Sequence, residues 1–186
     1  MRRWPRGYVG ENHQTIGSDI LAVVRSLSLP ELVLGAELSA RVAAIDPAGW
    51  YPIGILLELM AALDKKVGPR GLKKMGVTLF RLSHEARVLE VVNSVSALLR
   101  GFDAVYRHAN RGADIGGWEL LEFRPGYARL DKTTPHHCVM EEGILARACE
   151  ALGAPAEVKQ LACFRQGADS CLYEITSNVT GPAWTG

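Results

Sequence analysis

Cys163-Phe164-Arg165-Gln166-Gly167-Ala168-Asp169-Ser170-Cys171 is the stretch on which the reading of this chain turns. Glu157–Phe164 and Cys171–Thr176 alternate polar and apolar residues on either side of Gly167-Ala168-Asp169, a hairpin signal. The strands of a hairpin bring facing residues within about 5 Å of each other. Cys163 and Cys171 can therefore point at one another. Upstream, Pro135 leads into a helix from His136 to Leu152, closed by Gly153, and Cys138 lies in its first turn. Before that helix, Trp118–Phe123 and Tyr127–Asp131 flank Arg124-Pro125-Gly126 as a second hairpin. The C-terminal half thus reads hairpin–helix–hairpin, or ββαββ.

Towards the N-terminus the period changes to that of helices. Ser18 can cap a helix carrying Ile20, Leu21, Val24 and Leu27. Pro30 interrupts it, and residues 30–45 leave short helices and a strand equally open. Asp46-Pro47-Ala48-Gly49-Trp50-Tyr51-Pro52 reads as a turn. Ile53, Leu56, Leu57, Met60 and Leu63 mark a helix reaching about Val67, and Gly68-Pro69-Arg70-Gly71 breaks it. Leu72, Met75, Leu79 and Leu82 suggest the next helix. Val95, Leu98, Leu99, Phe102, Val105 and Tyr106 follow the i, i+3, i+4 spacing of a later one. The expected fold is α+β, with N-terminal helices packed on a C-terminal antiparallel sheet of ββαββ order. Residues 1–15 are expected as a flexible arm, 16–178 as a single ligand-binding-like domain and 179–186 as a tail.

Composition narrows the function. The 186 residues carry 21 Lys+Arg against 20 Asp+Glu, a net charge of +1, without the basic excess of a nucleic-acid binder. The most apolar stretch, residues 27–45, is interrupted by Pro30, Glu31, Glu37 and Arg41, so no membrane span is expected. Nothing resembles a secretory leader, and the expected location is cytoplasmic, where thiols stay reduced. Phosphate-binding loops, nucleophile elbows, H-E-x-x-H and G-x-G-x-x-G are all missing from the sequence, so no catalytic activity is expected. Four cysteines lie in the last quarter of the chain. Cys138, Cys163 and Cys171 could hold zinc, which prefers sulfur and nitrogen donors, with His136 or His137 adjacent. Buried free thiols are the competing reading. Cys149, spaced with Leu145 and Leu152, reads as core.

Cys138-x4-Gly143, a helix, then Gln160-x2-Cys163-x3-Gly167-x3-Cys171 resembles the four-vinyl-reductase domain, the sensory part of phenol- and toluene-responsive activators. In that domain the pattern is C-x4-G, then E-x2-C-x3-G-x3-C. The resemblance implies a structural zinc on Cys138, Cys163 and Cys171 beside a buried aromatic-effector pocket. Gln160 replaces the glutamate that would be the fourth ligand, leaving His137, Glu157 or water for that place, or no metal at all. A fainter likeness, from Trp50-Tyr51-Pro52 through Leu99–His108, resembles the haem-nitric-oxide/oxygen-binding (H-NOX) domains. TRAPP-type vesicle-tethering subunits and a myxobacterial paralogous family are similar in outline. Tyr106 stands where the H-NOX proximal histidine would follow a Phe102-Asp103-Ala104-Val105-like motif. The propionate-binding Tyr-x-Ser-x-Arg is not found around residues 123–129, so haem is not expected.

The resulting expectation is a non-enzymatic sensory module for a small hydrophobic or aromatic effector. Phe102, Tyr106, His108 and Trp118 are the candidate ligand contacts; a cavity of several hundred Å³ lined by Phe102, Tyr106 and Trp118 would favour this reading, and a filled core would count against it. Homodimerisation through the N-terminal helices and signalling to a protein partner complete it. A TRAPP-like interaction scaffold with a filled core is the alternative, and a haem-based gas sensor the weaker one.

Overall fold

The computed structural model describes residues 12–27 and 30–186, so the arm expected over residues 1–15 lies outside it as far as residue 11. Strand β1 (Gln14–Ile16) begins the described fold and runs directly into helix α1 (Gly17–Arg25). The open segment after Pro30 is helical: α2 (Pro30–Leu34) and α3 (Ala36–Ala43), separated by Gly35 at φ 79°. Strand β2 (Trp50–Pro52) precedes the long helix α4 (Ile53–Ser83), which is broken at Gly68 (φ 63°, ψ −176°) before Pro69. That break falls where Gly68-Pro69 predicts it, because Pro69 disfavours helical geometry in the residue before it.

Helices α5 (Glu85–Val91), α6 (Val95–Arg100) and α7 (Phe102–Ala109) follow, then strand β3 (Asn110–Arg111). Ser94 caps α6 by accepting a hydrogen bond from the Ala97 amide. The C-terminal half contains β4 (Trp118–Arg124), β5 (Tyr127–Lys132), α8 (Cys138–Ala151), β6 (Glu157–Ala162) and β7 (Cys171–Thr176). These strands form one antiparallel sheet in the order β4-β5-β7-β6, so both expected hairpins form and β5 joins them through β7. Each edge strand carries an irregularity, at Leu121 in β4 and Leu161 in β6. A second, three-stranded sheet in the order β2-β1-β3 ties the start of the fold to the end of α7.

The sheet buries one face: Ala128, Leu130 and Lys132 of β5 lie opposite Ile175, Tyr173 and Cys171 of β7. Helix α8 packs against both β6 and α4. Its crossing with α4 depends on two glycines. A Cβ on Gly76 would lie 1.9 Å from the Met140 carbonyl oxygen, and one on Gly143 would lie 1.9 Å from that of Lys73. Only hydrogen fits at either place, so the helices meet backbone to backbone. The segment expected as a C-terminal tail is packed on the sheet's edge strand. Helix α9 (Pro182–Thr185) buries Trp184 completely, stacks it on Phe123 and donates its Nε1–H to the Arg124 carbonyl at 2.9 Å. Gln14 and Thr15 likewise pair in β1, so the ordered fold begins before residue 16.

Candidate functional site

A buried cavity separates α7 from α4 and α8. Phe102 and Tyr106, one helical turn apart on α7, share its wall with Trp118 at the start of β4. Phe102 meets Trp118 edge-on at 4.9 Å, and Trp118 leans on Tyr173 at 5.5 Å. Three of the four expected ligand contacts are thus brought together. His108 is not: two residues beyond Tyr106, it turns to the outer side of α7 and is exposed. At about 3.6 residues per turn, that spacing carries a side chain roughly halfway round the helix.

The cavity volume is about 40 Å³, short of the several hundred that would favour a ligand pocket over a filled core. Met60, Met140 and Phe80 fill much of the space, and the Gly76–Gly143 crossing draws α4 and α8 together. What remains is mostly apolar, with a few buried polar groups in its wall. His136, only 6% exposed, places Nδ1 3.2 Å from Glu141 Oε1. Its Nε2 is buried without a hydrogen-bond partner, as is Oδ1 of Asn110. In the neutral tautomer that gives Nδ1–H to the carboxylate, Nε2 is an acceptor, and the amide oxygen is another. On the far side His84 Nε2 lies 3.4 Å from Asp19 Oδ1. Burial opposes the charge on His84, but Asp19 outweighs it and raises the imidazole pKa. Tyr106 donates its hydroxyl to the Ile115 carbonyl at 3.1 Å, and burial, with Glu141 adding to it, holds the phenol protonated far above its ordinary range.

The second site sits at the ends of three elements. Cys138 opens α8, Cys163 follows β6, and Cys171 opens β7. Cys138 Sγ lies 3.1 Å from Cys171 Sγ and 3.3 Å from Cys163 Sγ, and all three ligand atoms fall within 4.8 Å of one another. Hydrogen bonding from Cys171 is the largest influence on Cys138. Together with the Lys132 charge it overcomes burial and pulls the thiol down to about 5, while Cys171 and Cys163 are raised. Lys132 is fully buried, directly across the sheet from Cys171, with Nζ 2.7 Å from the His136 carbonyl.

The donor set fits zinc. Three thiolates around a divalent ion leave one negative charge, which the buried Lys132 ammonium offsets. No histidine or carboxylate among the described residues joins the three sulfurs. His137 instead pairs with Asp64 at 3.2 Å, and burial, aided by Arg165, keeps its pKa low. Asp64 also binds Arg165 at 3.1 Å, so one α4 carboxylate grips the chain on both flanks of the cysteine site. Cys149 lies apart in the core, its thiol pushed up to about 12 by burial.

The sequence matches no protein-family model and no curated protein. Solved structures do match. An H-NOX protein from S. oneidensis in the Fe(II) ligation state gives a TM-score of 0.68 at 15% identity, covering 91% of this chain and 99% of that one. The fold is H-NOX-like. An unliganded Fe(II) H-NOX protein from K. algicida gives 0.64 at 13% identity, over 88% and 96% of the two chains. An oxygen-binding H-NOX domain related to soluble guanylate cyclases gives 0.63 at 12%, over 90% and 94%.

These iron-ligating neighbours do not support setting haem aside, so the H-NOX-like cavity must answer for itself. Tyr106 is committed to Ile115 and stays a neutral phenol, and among the described residues the buried imidazole nitrogen without a partner in the wall is Nε2 of His136. An apolar cavity of about 150 Å³ accommodates benzene, a far smaller molecule than a porphyrin. At about 40 Å³ the cavity as it stands is too small for haem, as it is for benzene.

Sequence reasoning found the aromatic wall and the cysteines but missed the polar wall. Glu141 reads as a helix-dipole partner, and nothing in the spacing links Asp19 to His84. The one local signal was His136 five residues before Glu141, a pair that an intervening helix start brings face to face.

Proposed function

We propose that this chain is a non-enzymatic, cytoplasmic ligand-sensing module whose effector enters the cavity behind α7 and presents a hydrogen-bond donor to His136. The observation carrying this reading is the pair of buried acceptors, His136 Nε2 and Asn110 Oδ1, left without partners in the wall of one cavity. Each unmet buried polar group costs about 1–3 kcal/mol, and a donor-bearing ligand removes that cost. The cavity of about 40 Å³ is a closed state. A one-ring effector requires α4 and α8 to part, and its higher affinity for the parted state is what shifts the equilibrium. The fold likeness to H-NOX proteins, whose names record Fe(II), nitric oxide and oxygen ligation, supports a sensor reading in general terms. Zinc on Cys138, Cys163 and Cys171 acts in this reading as a staple between α8 and the sheet. Output passes through a homodimer to a protein partner.

Phenol and toluene, nearly equal in shape, separate the donor from the ring. Calorimetric titration is expected to show phenol binding about tenfold tighter than toluene, the worth of one buried hydrogen bond. His136→Phe is expected to erase that preference. Equal binding of the two removes the role given to His136. Binding of neither favours the second reading, a TRAPP-like interaction scaffold, which the nearly filled core supports. A Soret band on titration with haemin would reinstate the gas-sensor reading.

A further inference from the structure

A second concavity, about 490 Å³, opens on the surface between α5 and α7, on the side of α7 facing away from Tyr106. Its size falls within the range of small-molecule sites. The floor is aliphatic: Val88 is buried, Val92 and Val105 half-buried, and Val91 is 79% exposed. A valine this exposed at the end of a helix is unusual when its neighbours are also apolar, and contiguous apolar surface of this kind marks binding sites. The rim carries the guanidinium groups of Arg87 from α5 and Arg107 from α7, with the His108 imidazole of α7 beside them. Arg107 is held in place by Asp103 at 2.6 Å and by the Gly116 carbonyl at 3.0 Å. Arg87 and His108 make no ion pair or hydrogen bond among the described residues.

Acids near the groove are already engaged, Asp103 with Arg107, Asp19 with His84 and Glu85 with Arg147. Glu90, one turn beyond Arg87, does not line it. The field at the groove is therefore positive, from Arg87 and Arg107, and the neutral His108 imidazole adds an N–H donor. The pKa of His108 agrees: burial lowers it first, then the like charges of Arg87 and His84, with Asp19 only partly opposing them.

We infer that this groove binds an amphipathic monocarboxylate, its apolar body on Val88, Val91, Val92 and Val105 and its carboxylate between Arg87 and His108. An anion there supplies both groups with the acceptor they lack, and an apolar tail covers the exposed valines. This inference stands independently of the cavity reading, since the groove lies on the opposite side of α7. Val105 and His84 nonetheless line both spaces, so occupancy of one reaches the other through two side chains.

Decanoate and decanol, below their aggregation concentrations, are the probes. Calorimetry is expected to show one decanoate bound per chain, with decanol about tenfold weaker because a paired charge is lost. The double variant Arg87→Gln, His108→Gln, at two exposed positions, is expected to bring decanoate down to the decanol level and leave decanol unchanged. Val91→Asp is expected to weaken both. Equal binding of the two probes, binding of neither, or decanoate binding that survives the double variant would each overturn the inference. His136→Phe is expected to leave decanoate binding intact, which separates this site from the cavity.

Discussion

His84 shows how one residue links stability to pH. Its folded pKa is raised, because Asp19 at 3.4 Å outweighs burial. A raised pKa means the charged pair stabilises fully below the ordinary imidazole value of about 6.5 and is lost as pH rises through the folded value. His137, whose pKa is lowered, acts in the opposite sense and weakens the fold as pH falls below that value. Urea unfolding of the wild type and His84→Gln is therefore expected to differ more near pH 6 than near pH 8. A constant difference across that range would show the pair is not ionic. None of this was legible in the sequence, because Asp19 sits on α1 and His84 in the turn after α4, and they meet only once α1 packs on α4. Phe102 and Tyr106 were legible, being one turn apart on one apolar stripe. His108, two residues beyond Tyr106, lies on the other side of α7.

At the scale of elements, the α4–α8 crossing governs how wide the cavity is. Gly143, the glycine of the C-x4-G spacing, is needed for helix contact rather than for metal binding, since its missing side chain admits the Lys73 carbonyl. Gly143→Ala is expected to destabilise the protein by about 1–3 kcal/mol, as overpacking of a close contact does, readable as a lowered urea midpoint. The same change at exposed Gly54, where a Cβ meets nothing within 4 Å, is expected to be neutral or stabilising. Hairpins, the α8 helix and the Gly68-Pro69 break were legible because each is written in local period or punctuation. The small β2-β1-β3 sheet was not, since strands of two or three residues are too short to display an alternation. The α2–α3 segment stayed open for a related reason: Gly35 divides it into helices too short to fix a period.

Across the whole molecule, Asp64 joins the two candidate sites. It leaves α4, which walls the cavity, and binds His137 and Arg165 on either side of the cysteines. Parting α4 from α8 would strain that grip, so effector binding and metal retention are expected to be coupled. Protein purified without a chelating column is expected to carry about one zinc per chain, as a three-thiolate structural site would. Cys138→Ser is expected to lose the metal and Cys149→Ala to keep it. Zinc below about a tenth of an equivalent in the wild type would leave three buried thiols and no staple. The last turn of the chain has a different bearing. Trp184 covers Phe123 at the end of β4, an edge strand that already exposes Leu121. Removing Trp184 would uncover a second large apolar side chain on an unpaired strand, the arrangement that recruits strands from other molecules. A chain cut before residue 182 is therefore expected to form aggregates by light scattering at concentrations where the full chain stays dispersed.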